Sequence, residues 1–197
     1  MISPRLKDLL LQSLEHERGG VLLYRRALEC AINEDLSEEW TTYLEQTENH
    51  VEVLTRVCEE LQLDPNEMTP GCQIVQENGK ALLKAIQMAQ SAGDPVAAEI
   101  VACECIVLAE TKDHADWELI GAVGKDGEGD MAALLREAYD EVEDEEDEHL
   151  YHTKGWCREL WLSTLGLDAV LPPPEEQKDV KTAVEAAEAQ KQAHPAN

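Results

Sequence analysis

The sequence of 197 residues contains few aromatic residues and no long apolar run. Aromatic residues make up 4% of the chain and phenylalanine is absent, which argues against a β-sandwich or β-barrel, because strands in those folds are rich in aromatic side chains. No apolar run approaches the roughly 18 residues that a membrane-spanning helix needs. The first residues also lack the apolar core and cleavage site of a secretory signal peptide. We therefore expect a cytoplasmic protein.

Basic residues are scarce relative to acidic ones. The chain has 16 Lys and Arg residues against 42 Asp and Glu residues, which gives a formal net charge of −26. A field of this sign repels nucleic-acid phosphates and anionic lipids, and it attracts cations. The charge thus favours metal ions as partners and argues against nucleic acid and membrane surfaces.

The six cysteines contain no Cys-x-x-Cys pair. Disulfide frameworks occur mainly in small secreted proteins, so we expect reduced thiols in this chain. Their positions also argue against a metal site built from four thiolates. The cysteines are Cys30, Cys58, Cys72, Cys103, Cys105 and Cys157.

Apolar residues recur with helical spacing along almost the whole chain, and no segment alternates as a strand would. Two long amphipathic helices are predicted before a Pro- and Gly-containing break at residues 64–71, and two are predicted after residue 94. A short helical segment near residues 74–92 lies between the two pairs. The pattern predicts an all-α four-helix bundle with one long crossover that contains an extra short helix.

The composition changes after the proline run at residues 172–174, where Ala, Glu, Gln and Lys dominate. Such a segment offers little apolar surface for firm packing. We therefore expect one bundle domain over residues 1–166, followed by a Pro-rich linker and a flexible low-complexity tail over residues 167–197.

Several polar side chains fall within the apolar stripes of the four long helices. An unpartnered buried carboxylate is costly, so carboxylates on three helices that converge with imidazoles need a common partner. A pair of divalent cations would neutralise them, and a spacing of three or four residues directs two side chains of a helix toward one point. The candidate metal ligands are Glu17, His50, Glu110, His114, Glu146 and His149.

Glu146 and His149 form a Glu-x-x-His unit on the fourth long helix, and Glu110 stands alone on the third. Glu17 on the first helix is followed seven residues later by Tyr24. This set resembles the ferritin-like di-iron carboxylate superfamily, in which two helices each contribute a Glu and the other two each contribute a Glu-x-x-His. The resemblance implies a ferritin-like bundle that holds two iron ions, with manganese as the alternative metal.

The second long helix departs from the family pattern, because Thr47 rather than Glu precedes His50 by three residues. His114 on the third helix is then a candidate for the missing ligand. A mononuclear or asymmetric site is the alternative. The resemblance covers about residues 3–165, and the tail has no counterpart in it.

The resemblance implies an oxidoreductase that oxidises Fe(II), reduces dioxygen or peroxide, or oxygenates a small substrate. Tyr24 and Tyr139 are the candidate catalytic residues, as donors of a hydrogen bond or an electron. A monomer or homodimer is expected for such an enzyme. Two other functions stay open: iron handling or storage without turnover, and a metal-free acidic bundle for protein interaction, in which Glu, His and Tyr hydrogen-bond to one another.

Overall fold

The computed structural model describes residues 2–195, and within this range all regular structure is helical. The prediction of an all-α fold is confirmed. No helix in this range is long and apolar enough to cross a membrane. The seven helices are α1 (Pro4–Leu28), α2 (Glu34–Glu60), α3 (Pro70–Ala92), α4 (Pro95–Asp126), α5 (Asp130–Thr164), α6 (Pro174–Gln177) and α7 (Ala183–Ala193).

The first four helices begin where the sequence provides a capping side chain. In each case a side-chain oxygen accepts a hydrogen bond from a backbone N–H group of the first turn, which otherwise has no partner in the helix. Proline follows the cap in α1, α3 and α4, where its missing N–H costs nothing. The caps are Ser3, Asn33, Thr69 and Asp94.

Helices α1, α2, α4 and α5 form the four-helix bundle. The helices α1 and α2 make one antiparallel hairpin, and α4 and α5 make the other. The two hairpins join through contacts of α1 with α4 and of α2 with α5, while α2 and α4 lie diagonally opposite within the described residues. Contacts of Arg56 with Glu141 and of Glu39 with His152 fix the antiparallel register of α2 and α5.

The crossover helix α3 is longer than the sequence pattern predicted. It has 23 residues and packs along α1 and α4 on the outside of the bundle, so it acts as a fifth long helix. Few of its side chains are buried, with Val75 and Ile86 among them, while Ile74 and Met88 are exposed. The sequence pattern placed Pro70 and Gly71 in the preceding break, whereas in the structure they belong to the first turn of α3 after the Thr69 cap.

A polar layer divides the bundle core into two apolar clusters. Trp40 and Trp156 belong to one cluster, and Leu54 and Trp117 belong to the other. Along α1, residues 6–14 belong to the second cluster and residues 23–27 to the first. The order along α5 is the same, and along the antiparallel helices α2 and α4 it is reversed, so the polar residues between the clusters lie at one level of the bundle.

The C-terminal segment docks against α5, whereas its composition predicted a flexible tail. Arg158 forms two hydrogen bonds with the Glu175 carboxylate at 2.6 and 2.8 Å. Glu159 accepts a hydrogen bond from the backbone N–H of Val170 at 2.8 Å, and Val180 is buried. The predicted boundary at residue 166 therefore separates the bundle from a segment that covers part of its surface.

Candidate metal centre

All four bundle helices contribute buried ionisable side chains to the polar layer. The helix α1 provides one carboxylate, α2 provides one imidazole, α4 provides two carboxylates, and α5 provides one of each. None of these residues is more than 4% exposed. They are Glu17 on α1, His50 on α2, Glu110 and Asp113 on α4, and Glu146 and His149 on α5.

Two groups of three residues in this layer have the geometry of metal sites. In each group, one potential ligand atom from every residue lies within 4.8 Å of the others. Glu146 belongs to both groups, and its two oxygens can contact two different ions. The two groups, each of which could hold a metal ion, therefore share one carboxylate. One consists of His50, Glu146 and His149, and the other of Glu17, Asp113 and Glu146.

The outer oxygens of two carboxylates are held by neighbouring side chains. The Tyr24 hydroxyl donates to Glu110 Oε1 at 2.8 Å. The indole N–H of Trp117 donates to Glu17 Oε1 at 2.7 Å. Each bond fixes one oxygen of its carboxylate and leaves the other oxygen facing the layer.

The two imidazoles are oriented in a comparable way. His50 donates from Nε2 to Glu145 Oε2 at 2.7 Å, and His149 donates from Nε2 to Gln46 Oε1 at 2.9 Å. A hydrogen bond from one ring nitrogen directs the lone pair of the other nitrogen, as in most histidines that bind metals. The Nδ1 atoms therefore face the layer as potential ligands.

The inward atoms of these residues lack hydrogen-bond partners in the described part of the chain. His50 Nδ1 lies 2.8 Å from Glu146 Oε1, but the geometry of a hydrogen bond is not met. Buried polar atoms normally have partners, so a group of unpaired lone pairs that face one another fits a pair of cations. The unpaired atoms are Glu17 Oε2, His50 Nδ1, Glu110 Oε2, Asp113 Oδ1 and both carboxylate oxygens of Glu146.

The protonation of the carboxylates reflects this crowding. Burial, followed by repulsion from Asp113, raises the pKa of Glu17 and that of Glu146 well above the ordinary value. Burial raises the pKa of Asp113 to about 6. A bound cation would favour the ionised forms, so binding would release protons from these groups.

The pKa values of His50 and Glu110 are shifted in the direction that favours their charged forms. Burial lowers the pKa of His50, but the charge of Glu17 and the contact with Glu145 outweigh this effect and raise it. Burial raises the pKa of Glu110, but His149 and the Tyr24 hydroxyl outweigh this effect and lower it. The positive charge of imidazolium groups thus balances part of the negative charge of the buried carboxylates.

Asp113 is the member of the layer that sequence reasoning missed. It follows Glu110 by three residues, so the two carboxylates share one face of α4. Glu146 and His149 have the same spacing on α5. This repeated spacing is the signal that could have identified Asp113.

The structure does not bring His114 into the layer. Its Nε2 donates to Asp147 Oδ1 at 2.7 Å, and its ring contacts Tyr151 edge to face. Adjacent residues on a helix point about 100° apart, so only one of the neighbours Asp113 and His114 can face the other ligands. The inward position belongs to Asp113.

The two predicted tyrosines lie in different places. Tyr24 is buried beside the layer and donates to Glu110. Tyr139 lies outside the layer, with its ring packed on Gly121 where α4 and α5 approach each other. Of the two, only Tyr24 contacts a potential metal ligand.

Tyr43 connects the layer with the outer part of the bundle. Its ring centroid lies 4.2 Å from that of His149. Its hydroxyl donates to Glu39 and lies 3.1 Å from His152 Nδ1. Glu39 is partly exposed, so a short chain of polar groups leads from the layer toward solvent.

No known family model, curated protein or solved structure matches this chain. The described side chains form a helical bundle with buried carboxylates and imidazoles that could bind metal.

Proposed function

We propose that this protein is a ferritin-like two-metal carboxylate protein that binds two iron ions, or manganese ions, for redox chemistry. The observation that carries the proposal is the set of inward ligand atoms without hydrogen bonds, in two groups that share Glu146. The outer atoms of several of the same residues have partners, so the unpaired atoms are confined to the space between the helices.

The proposed centre is asymmetric. One position has two imidazole nitrogens, and the other has only carboxylate oxygens. Iron and manganese both accept such mixtures of nitrogen and oxygen ligands, whereas soft thiolate ligands are absent from these groups. Glu146 would bridge the ions, with His50, His149 and the adjacent Glu110 at one position, and with Glu17 and Asp113 at the other.

Iron held by such ligands supplies one-electron oxidation and reduction, which fits Fe(II) oxidation, dioxygen or peroxide reduction, or oxygenation of a small substrate. The protein's own residues orient the ligands and exclude water. Tyr24 holds Glu110, and Gln46 and Glu145 hold the two imidazoles. The apolar clusters on both sides of the layer limit the access of bulk water.

Tyr43 is the second tyrosine with a role in this proposal. Its contacts with His149 at one end and with Glu39 and His152 at the other suit the transfer of a proton or an electron between the layer and the surface. Tyr139 has no such role, because it does not contact the layer.

Metal analysis tests the proposal directly. Protein purified without chelator or nickel resin should contain iron or manganese, and anaerobic titration with Fe(II) should saturate at about two ions per chain. Glu146→Ala should lose most of the bound metal, because Glu146 belongs to both groups. Glu148→Ala is the matched control, because Glu148 contacts Lys181 on the outer side of α5.

A chain that contains no metal and binds neither Fe(II) nor Mn(II) would contradict the proposal. It would favour the metal-free interaction bundle instead. Equal losses of metal in Glu146→Ala and Glu148→Ala would also contradict it, because they would indicate diffuse attraction to the acidic surface.

A further inference from the structure

A groove of about 310 Å³ lies where α3 packs against α1 and α4. All three helices contribute to its walls. Its volume is at the lower end of the range of about 300–1,000 Å³ that is usual for small-molecule sites. The groove therefore suits a molecule with roughly one aromatic ring rather than a long lipid chain.

Two glycines keep this groove open. A Cβ atom built on Gly19 of α1 or on Gly79 of α3 would meet no other atom within 4 Å. Neither glycine has a positive φ, and neither lies at a helix end. Glycine destabilises a helix interior relative to alanine, so its presence on two walls of one cavity fits a requirement for space.

The lining of the groove is mainly apolar and contains no carboxylate, although the chain has 42 acidic residues. Its polar groups are the imidazole of His16, the amide of Asn78 and the ammonium group of Lys112. Lys112 is paired with Asp116 and so provides no free charge for an anion. The lining therefore favours an uncharged apolar molecule with one oxygen that accepts a hydrogen bond.

The groove lies next to the polar layer of the bundle core. Gly20 lines the groove, and a Cβ atom on it would lie 3.2 Å from Thr47 Cγ2 on α2, across the bundle interior. Ala109 also lines the groove and precedes Glu110 in the chain. His16 precedes Glu17, and its Nε2 lies 3.0 Å from the Ala109 carbonyl oxygen. The contact between α1 and α4 lies between the groove and the polar layer.

We infer that this groove, next to the proposed metal centre, binds a small uncharged and mainly apolar molecule with one hydroxyl or carbonyl oxygen. The inference rests on the proposed function. The groove supplies the apolar surface, and the side-chain amide of Asn78 at its edge would donate a hydrogen bond to the oxygen.

Binding of 4-fluorophenol to the metal-free protein tests the groove independently of the metal. Fluorine NMR should detect binding, and the amide resonances of Gly19 and Gly79 should shift. Gly79→Leu places a side chain in the groove, so its affinity should be lower by about tenfold or more. Gln87→Leu places the same leucine side chain at an exposed position of α3 outside the groove and should leave the affinity unchanged.

The metal-loaded protein tests the connection between the two sites. Paramagnetic Mn(II) in the layer should broaden the fluorine resonance of bound 4-fluorophenol. The broadening should be absent in Glu146→Ala, which should still bind the phenol. Gly79→Leu should retain normal Mn(II) content, and Gly79→Ala provides a milder change if the larger side chain disturbs folding.

Three results would overturn the inference. The first is an unchanged affinity for 4-fluorophenol in Gly79→Leu, and the second is binding without broadening by Mn(II). The third is dimerisation through the groove, detected as a loss of dimer mass in Gly79→Leu. Each leaves the proposed function intact as long as the protein binds metal, whereas a failure to bind metal contradicts that function separately.

Discussion

Glu146 combines complete burial with the absence of any hydrogen bond to its carboxylate. Replacement by Gln keeps the shape of the side chain, cannot ionise, and provides an N–H group that can donate to nearby carboxylates. We expect Glu146→Gln to stabilise the metal-free protein by roughly 1–3 kcal/mol at pH 8, while metal binding is lost. Urea denaturation of chelator-treated protein measures this change.

The control for this prediction is Glu148→Gln on the outer side of α5. It should change the free energy of unfolding by less than about 0.5 kcal/mol, as is usual for surface substitutions. A less stable Glu146→Gln variant without metal would contradict the prediction, because it would mean that the carboxylate has a structural role.

The neighbours Asp113 and His114 allow a second test at the scale of single residues. Asp113 belongs to one of the two ligand groups, whereas His114 contacts Asp147 outside the layer. We expect Asp113→Asn to reduce the iron content from two ions toward one and His114→Asn to retain both. Metal analysis after anaerobic loading measures the difference, and the reverse pattern would show that His114 turns inward when metal binds.

The sequence was sufficient to select five of the six residues that the structure places in the layer. Glu17, Glu110 and Glu146 stood out because carboxylates rarely occur within an apolar helical stripe. Asp113 was missed because His114, the next residue, is also a common metal ligand and lies only about 100° away around the helix. Metal binding by the whole set stays a prediction.

The effect of a Gly→Ala substitution on the free energy of unfolding depends on the space around the glycine. Gly79 lies in the interior of α3 with open space beside it, so Gly79→Ala should stabilise the protein by about 0.5–1 kcal/mol through helix propensity. Gly121 lies on α4 against Tyr139, and a Cβ atom there would be 2.7 Å from the ring. Gly121→Ala should therefore destabilise the protein by about 1–3 kcal/mol.

Chemical denaturation of both glycine variants measures these opposite effects. Similar changes in the two variants would contradict the packing described here, because helix propensity alone would then account for both.

The positions of the bundle helices could be predicted because apolar residues recur along their length and the starts of α1, α2 and α4 carry capping residues. The N-cap Asp94 and the following Pro95 mark the start of α4 in the sequence and in the structure. The extent of α3 was harder to predict, because it covers the bundle from outside and buries few side chains.

Metal should stabilise the molecule as a whole, because its ligands come from all four bundle helices. Ligands from separate helices meet only in the folded state, so binding favours folding by linkage. At a metal concentration about 100-fold above Kd, Tm should rise by about 5–10 °C in a chain of this size. Thermal unfolding with saturating Mn(II) and with chelator measures the shift, and an unchanged Tm would argue against a site inside the bundle.

The docking of the C-terminal segment could not be predicted from hydropathy. Its contacts include the two hydrogen bonds between Arg158 and Glu175, which join residues whose proximity depends on the path of the intervening loop. An apolar pattern identifies a surface that must be covered, but it does not identify ion pairs between distant parts of the chain.

The division of the core by the polar layer has a consequence for the cooperativity of unfolding. Each apolar cluster spans all four bundle helices and resembles the core of a smaller protein, and without cations the layer between them opposes close packing. In the metal-free protein, hydrogen exchange should therefore separate the two halves into units that open with different free energies. Metal should merge them into one unit, so that amides near Trp117 and near Trp156 exchange only through global unfolding.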